Sequence, residues 1–418
     1  MGARSWLRSL IVVCLSVGAA PSSSLATATT TATSEEHVRV FDTCWRLVQR
    51  FFYDRDLNGL DWKEVRERYR PRALEADDGQ ELRRILQEML AELDASHASV
   101  MDREVYRDLQ AELDNERTWT HGLLLEETRP GKLFVRSLYE GGAAEAAGLT
   151  LGDEILLVNG EAPFHSERLL EAGYDPALPG PGLFFLEAGK ETVIRLRVRS
   201  TPSRGSAREV ELEPRWMNGV DAARNSVRIV DVDGRRIGLV HLWYCQRGVD
   251  KVLREAIQGK LEDCDALVVD LRGRGGYVNV VDSILGCFER GRSLTRRLRN
   301  VRPWKKPVVF LIDERSRSAK EILAYHVRRH EVGILVGRKT EGAVLGAGFF
   351  KLPDGSILEL PITRVPVGDV DLEGLGVEPH VEVEVDLPYA QGEDPILVRG
   401  IEVALEQTRP SRRILGPF

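Results

Sequence analysis

The stretch Ser316-Arg317-Ser318-Ala319-Lys320-Glu321-Ile322-Leu323-Ala324, preceded by the apolar run Val308-Val309-Phe310-Leu311-Ile312, decides how this chain is read. Consecutive apolar residues bounded by polar ones predict a strand covered on both faces. Asp313-Glu314-Arg315-Ser316 is a polar turn, after which Ala319, Ile322, Leu323 and Val327 return at helical spacing. Ser318 therefore stands where a buried strand passes into a helix. A helix N-terminus offers free amides and positive partial charge to an anion forming beside the hydroxyl. Those amides need no reorganisation when a tetrahedral oxyanion appears. A serine in this place also caps its helix, so the pattern alone assigns no chemistry.

Working outward, 418 residues predict roughly two to three domains. Hydrophobic content of 43% beside 29% charged residues is ordinary for a globular chain with sizeable cores. The net charge of -7, with no basic cluster interleaved with aromatics, excludes nucleic acid as a default partner. The basic stretch Arg290 to Arg302 reads as a solvated face. Residues 1–26 read as an export signal. Arg4 and Arg8 precede the apolar run Leu10 to Ala20, and Ser24-Leu25-Ala26 supplies a small-residue cleavage site. That run is too short to span a bilayer. The mature chain is expected to be periplasmic or secreted, without a stable membrane span. Cys44, Cys245, Cys264 and Cys287 show no metal-site spacing. Buried thiols are expected, with one disulfide among the last three left open. No metal and no organic cofactor is implied.

Residues 27–35 are a flexible lead-in rich in Thr, Ala and Ser. Residues 36–115 form a helical domain. Val38, Phe41, Trp45, Val48 and Phe52 share one helix face. A second helix opens at Asp61-Trp62 and runs toward Tyr69. Leu82, Ile85, Leu86, Met89, Leu90 and Leu93 mark a third, which breaks at Asp94-Ala95-Ser96-His97. Short strands follow over residues 116–214. Residues 215–390 alternate strands with helices, the mark of an α/β layer structure. They include Ile237 to Leu242, Ala266 to Asp270, the Ser318 unit and a hairpin about Asp354-Gly355. Residues 391–418 are a C-terminal helix and tail.

His121-Gly122-Leu123-Leu124-Leu125, the Ala-rich segment before Gly148-Leu149, and Gly152-Asp153 leading to Asn159-Gly160 together resemble a PDZ domain. The resemblance implies that the loop at Gly122 receives a peptide carboxylate and that Leu123, Leu124 and Leu125 pair with the extended peptide. The other reading is a module packed as a lid with no ligand of its own. His121, beside that loop, is expected to be exposed.

Four further segments appear in order downstream. They are Asp270-Leu271-Arg272 with Gly275-Gly276, the Ser318 stretch, Gly337-Arg338-Lys339-Thr340-Glu341-Gly342, and Gly374-Leu375-Gly376-Val377-Glu378-Pro379. With the PDZ-like region upstream, the chain resembles the C-terminal-processing (tail-specific) serine peptidase family over roughly residues 36 to 390. The resemblance implies a crotonase-like (ClpP/crotonase) α/β catalytic domain beside an N-terminal helical domain and a PDZ-like β domain. It places the nucleophile at Ser318 and the oxyanion donors at the N–H groups of Gly276 and Ala319.

The chain departs from most of these relatives at Ala343, where many carry the lysine of a Ser-Lys dyad. Lys339 and Lys320 do not align with that base and read as solvated surface lysines. Asp94-Ala95-Ser96-His97 resembles instead the Ser-His segment of the tricorn-protease branch. The resemblance then implies His97 as general base, Ser96 as an accessory hydroxyl and Glu373 as the orienting carboxylate. Asp369, Asp371 and Glu378 stand near enough in sequence to be alternatives to Glu373. His241, His326 and His330 read as structural. The expected activity is that of an exported serine endopeptidase acting on unstructured C-terminal regions of proteins or peptides. The alternative, raised by Ala343, is a catalytically inactive adaptor that binds peptides through the PDZ-like module. The oligomeric state is left open by the sequence.

Overall fold

The computed structural model describes residues 34–171, 182–288, 302–368 and 370–409. The export signal, nearly all of the lead-in, most of the basic stretch from Arg290, Asp369 and the tail from residue 410 lie outside the described residues. The chain forms two compact units. The first comprises the described residues up to Arg103 together with Leu345–Val365, and the second comprises those of 104–344 and 366–409.

The first unit is built on three helices, Ser34–Phe51, Trp62–Glu75 and Gly79–Ala91. Asp61 and Asp78 cap the last two, each side chain accepting two backbone N–H groups of the first turn. Apart from Val38, which lies outside the core cluster, the apolar periodicity read from the sequence is the face that packs. Phe41, Val48, Phe52, Leu82, Ile85, Leu86, Met89, Leu90 and Leu93 are all buried in one cluster. The second helix runs past Tyr69 and through Pro71 to Glu75. Buried Ala73 anchors that last turn, so packing outweighs the N–H that proline lacks.

The hairpin about Asp354-Gly355 belongs with this helical unit, although it lies within the stretch assigned from sequence to the α/β domain. Its strands Gly346–Lys351 and Ile357–Thr363 pair with each other, and Ser99–Met101 adds antiparallel to the second. Leu345, Leu352, Leu358 and Leu360 enter the helical core. Their partners lie some three hundred positions upstream, out of reach of any local pattern.

The second unit holds two larger sheets. One is a six-stranded sheet in the order Arg228–Val232, Arg235–His241, Ala266–Asp270, Val308–Ile312, Ile334–Gly337, Val381–Glu382. Its first pair is antiparallel and the rest are parallel. Val308–Ile312 is buried at every position, as its unbroken apolar run requires. The helix Pro395–Thr408 covers one face, with Ile396, Val403 and Ala404 packed on Leu239, Val268, Val309, Leu311 and Val336. The other sheet has seven antiparallel strands in the order Leu169–Glu171, Leu183–Leu186, Leu123–Arg129, Lys132–Leu138, Glu154–Val158, Ile194–Arg199, Ala207–Leu212.

Arg272 fixes the covering helix to the six-stranded sheet. Its guanidinium donates to both Asp270 oxygens at 2.6–3.0 Å and to both Asp394 oxygens at 2.8 and 2.7 Å. Asp394 in turn caps that helix by accepting the Leu397 N–H. Burial alone would raise the Asp270 carboxyl, but Arg272 and His241 hold it well below the usual carboxylate range. Removing the cation would leave the buried Asp270 carboxylate and the half-buried Asp394 carboxylate facing each other. Arg272→Met is therefore expected to lower unfolding stability by about 3 kcal/mol or more, read as a reduced urea midpoint at unchanged slope. A loss below about 1 kcal/mol would mean that the carboxylates rehydrate and that the fork contributes little.

Candidate active site

The loops that carry Gly276 and Ser318 leave the carboxyl ends of the parallel strands Ala266–Asp270 and Val308–Ile312, the usual place for a site on an open α/β sheet. Ser318 opens the helix Ala319–Arg329 with φ 53° and ψ −122°. L-residues rarely adopt this conformation, and where one is held there the surroundings must enforce it. They do so through Glu321, the N3 residue of the helix and fully buried. Its carboxylate accepts the Ser318 N–H at 3.2 Å, Thr340 Oγ1–H at 2.5 Å, and the N–H groups of Gly342 and Ala343 at 2.6 and 2.7 Å. Burial pushes the Glu321 carboxyl up, and these donors oppose the shift. Ser318 N–H also donates to Ala343 O at 2.8 Å.

Ser316 and Ser318 have different fates. Ser316 is fully buried; its hydroxyl donates toward Leu271 O and Asp313 Oδ1 and accepts the Asp313 N–H. Ser318 is half-buried. Asp313 also accepts the N–H groups of Gly273 and Arg315 and pairs with Arg136 at 2.9 Å. Burial raises its carboxyl, and Arg136, the Gly273 N–H and Arg272 bring it below the ordinary value.

The glycine loop lies directly against this turn. A Cβ on Gly275 would sit 2.5 Å from Arg317 O and 2.7 Å from Ser318 Cβ. Gly276 has φ +131°, and a side chain there would meet Cys245 O at 2.5 Å. Cys245 orients the loop by donating its N–H to Gly275 O at 2.8 Å and accepting the Tyr277 N–H at 2.7 Å. Among the described residues neither the Gly276 N–H nor the Ala319 N–H donates to a protein acceptor. Two free amides beside a half-buried serine are what oxyanion binding requires chemically.

Glu373 reaches the same region through the segment after Ala343. Its carboxylate accepts the Val344 N–H at 2.8 Å, and Gly374 N–H donates to Gly342 O at 2.8 Å. Ala343 itself is fully buried. Ser318, Ala319, Gly276 and Glu373 thus belong to neighbouring loops of the second unit. Ser96 and His97 belong to the first. There, Asp94 and His97 both take positive φ, 45° and 59°, in the turn that ends the third helix. Ser96 Oγ lies 2.8 Å from His97 Nδ1, and both residues are buried. The strand Ser99–Met101 begins two residues later, with Ser99 Oγ donating to Glu359 at 3.2 Å.

Three expectations are corrected. Lys320 is fully buried, not solvated: Nζ donates to Trp243 O at 2.9 Å and to Arg272 O at 2.7 Å. Burial lowers it to about 8, opposed by the Cys245, Asp270 and Asp313 side chains. Its helical position places it on the inner face, where neighbouring carbonyls replace water. Lys339 does stay on the surface, paired with Glu378 at 2.9 Å. His121 is buried rather than exposed, with Nε2 3.0 Å from Thr192 O; desolvation lowers its pKa. Of the three residues expected to offer an open strand edge, Leu125 is fully buried and not open. Leu123–Arg129 is paired with Lys132–Leu138 on one side, and Leu183–Leu186 takes the other side at Leu125 and Glu126. Leu123, Leu124 and Gly122 lie beyond that second pairing, with Gly122 N–H donating to Thr120 Oγ1 at 3.0 Å. The open disulfide question also closes, since Cys44, Cys245, Cys264 and Cys287 are all buried free thiols.

Glu321 had a readable signal in Ser318-x-x-Glu321, the capping-box spacing. The roles of Lys320, Asp313 and Cys245 had none. His241, assigned as structural, stacks on Trp243 at 3.9 Å and approaches Glu140 at 3.3 Å.

Residues 236–383 match the model of peptidase family S41, and residues 33–91 match the tricorn protease C1 domain. A tricorn protease homologue of Streptomyces coelicolor is 28% identical over 406 residues, covering 89% of this chain and 32% of its own length. The chain thus spans about a third of that relative. A carboxyl-terminal-processing protease of Picosynechococcus is 25% identical over 357 residues, covering 80% of both chains. The crystal structure of the tricorn protease aligns with a TM-score of 0.51 at 18% identity, over 90% of this chain and 37% of that one. The fold is accordingly a mixed α/β fold similar to that structure.

The contact between Gly275 and the Ser318 turn can be tested directly. Gly275→Ala is expected to cost about 1–3 kcal/mol, because its methyl must displace Arg317 O or Ser318 Cβ. Thermal unfolding measures this, and an unchanged midpoint would mean that the turn yields freely.

Proposed function

We propose that this protein is an exported serine endopeptidase that cleaves unstructured polypeptide C-terminal regions through an acyl-enzyme. The observation that carries the reading is the Ser318 turn, held at an unfavourable backbone conformation with the Gly275-Gly276 loop packed against it. The match of residues 236–383 to peptidase family S41 supports a serine-type peptidase. We read the six-stranded sheet as crotonase-like and the seven-stranded sheet as PDZ-like.

In this mechanism His97 takes the proton of Ser318 Oγ as the oxygen bonds to the scissile carbonyl carbon. The oxyanion accepts from the N–H groups of Gly276 and Ala319. Collapse breaks the C–N bond, and His97 passes its proton to the departing amine. Water then adds to the acyl carbon, gives a proton to His97 and releases the new carboxylate, and Ser318 recovers its proton. With Ser96 Oγ accepting from Nδ1–H, the lone pair lies on Nε2, the nitrogen that acts as base in this reading. Glu373 is the orienting carboxylate. The reading requires the His97 turn of the first unit to serve Ser318 of the second.

The rival reading is a silent adaptor that binds peptides through the PDZ-like sheet; Ala343 motivates it. The pairing of Leu125 and Glu126 with Leu183–Leu186 weighs against recognition along the whole of that strand. A fluorophosphonate probe separates the two. Phosphonylation mapped to Ser318 is expected in wild type and absent in Ser318→Ala. His97→Ala is expected to slow it by roughly 10²–10⁴-fold. Labelling indifferent to His97 would require another base. No labelling of wild type, with or without added peptides, would favour the adaptor.

A further inference from the structure

Lys320 is a buried cation that the proposed mechanism does not use. It is the second residue of the helix Ala319–Arg329, directly after the oxyanion donor Ala319, and it is 0% exposed. Nothing about holding a helix requires a charge in this place. Taking an ammonium out of water costs several kcal/mol unless good acceptors replace the solvent. The acceptors are two main-chain carbonyls from two different strand exits. Trwo residues past the strand Arg235–His241 is Trp243, whose O accepts at 2.9 Å. Two residues past Ala266–Asp270 is Arg272, whose O accepts at 2.7 Å.

Both carbonyls lie just upstream of the residues that set the glycine loop. Trp243 leads to Cys245, which exchanges backbone hydrogen bonds with Gly275 and Tyr277, and Arg272 leads to Gly275-Gly276 itself. The Cys245, Asp270 and Asp313 side chains favour the ammonium electrostatically, and Arg272 opposes it. We propose that Lys320 is a positioning residue for the oxyanion hole: one ammonium ties the chains bearing both amide donors, Gly276 and Ala319, into a single geometry. Charge-assisted bonds to carbonyls are short and directional, so they fix relative placement better than apolar packing does. An oxyanion donor must be held to within a fraction of an ångström to act in the transition state. The positive charge also adds to the field of the helix N-terminus at Ala319.

This inference rests on the peptidase reading. Wild type, Lys320→Met and Lys320→Gln are titrated to completion with a fluorophosphonate, and hydrolysis of unfolded casein is measured per titrated site. Loss of a positioning residue is expected to lower kcat for Lys320→Met by roughly 10–100-fold with KM changed less than about threefold. Lys320→Gln keeps an N–H donor on a shorter arm and should fall between. A merely structural role would reduce the number of titratable sites and the unfolding midpoint while leaving kcat per site alone. A folded Lys320→Met with wild-type kcat per site overturns the proposal, as does a loss confined to KM. If Lys320→Met does not fold, wild-type kcat in Lys320→Gln overturns it. Failure of wild type to label at Ser318 is a separate result: it removes the peptidase reading itself.

Discussion

A fully buried carboxylate cannot be left without donors, and that requirement at Glu321 shapes the region around Ser318. The main-chain and side-chain donors of Ser318, Thr340, Gly342 and Ala343 all turn inward to meet it. An uncompensated charge at that depth costs several kcal/mol, so each donor is held firmly. The consequence is geometric. The turn after one parallel strand and the loop after its neighbour become one structure, and the strained backbone at Ser318 is a by-product of that union.

The residue before it answers with the opposite charge. Lys320 faces the exits of the two strands on the other side, so adjacent residues on one helical turn gather loops from both directions. Asp313 adds a third tie by accepting from Gly273 and pairing with Arg136 of the seven-stranded sheet. Arg315 and Glu126 form a parallel link at 2.8 Å. The two sheets of the second unit therefore meet through paired charges beside the Ser318 turn, where rigid placement matters more than net stability.

Much of this was legible in residue order. The strand Val308–Ile312 follows from an unbroken apolar run, and the helix after Ser318 and the three helices of the first unit follow from an apolar period of 3.6. The choice of Ser318 over Ser316 came from resemblance alone. The structure adds a physical difference, since Ser316 is consumed by buried hydrogen bonds. His97 and Glu373 likewise came from motif likeness, because no periodicity singles out one histidine or one glutamate.

Residue order by itself determined which segments become strands and helices and where turns fall, because those depend on neighbours a few positions away. Tertiary structure alone decided where segments distant in sequence lie down together. It took the hairpin at Asp354-Gly355 into the helical core and placed Leu183–Leu186 against Leu125 and Glu126. It also turned Lys320 inward. A lysine looks solvated in any sequence until carbonyls from elsewhere in the chain replace its water. Burial is a sum over distant partners, and no local pattern contains it.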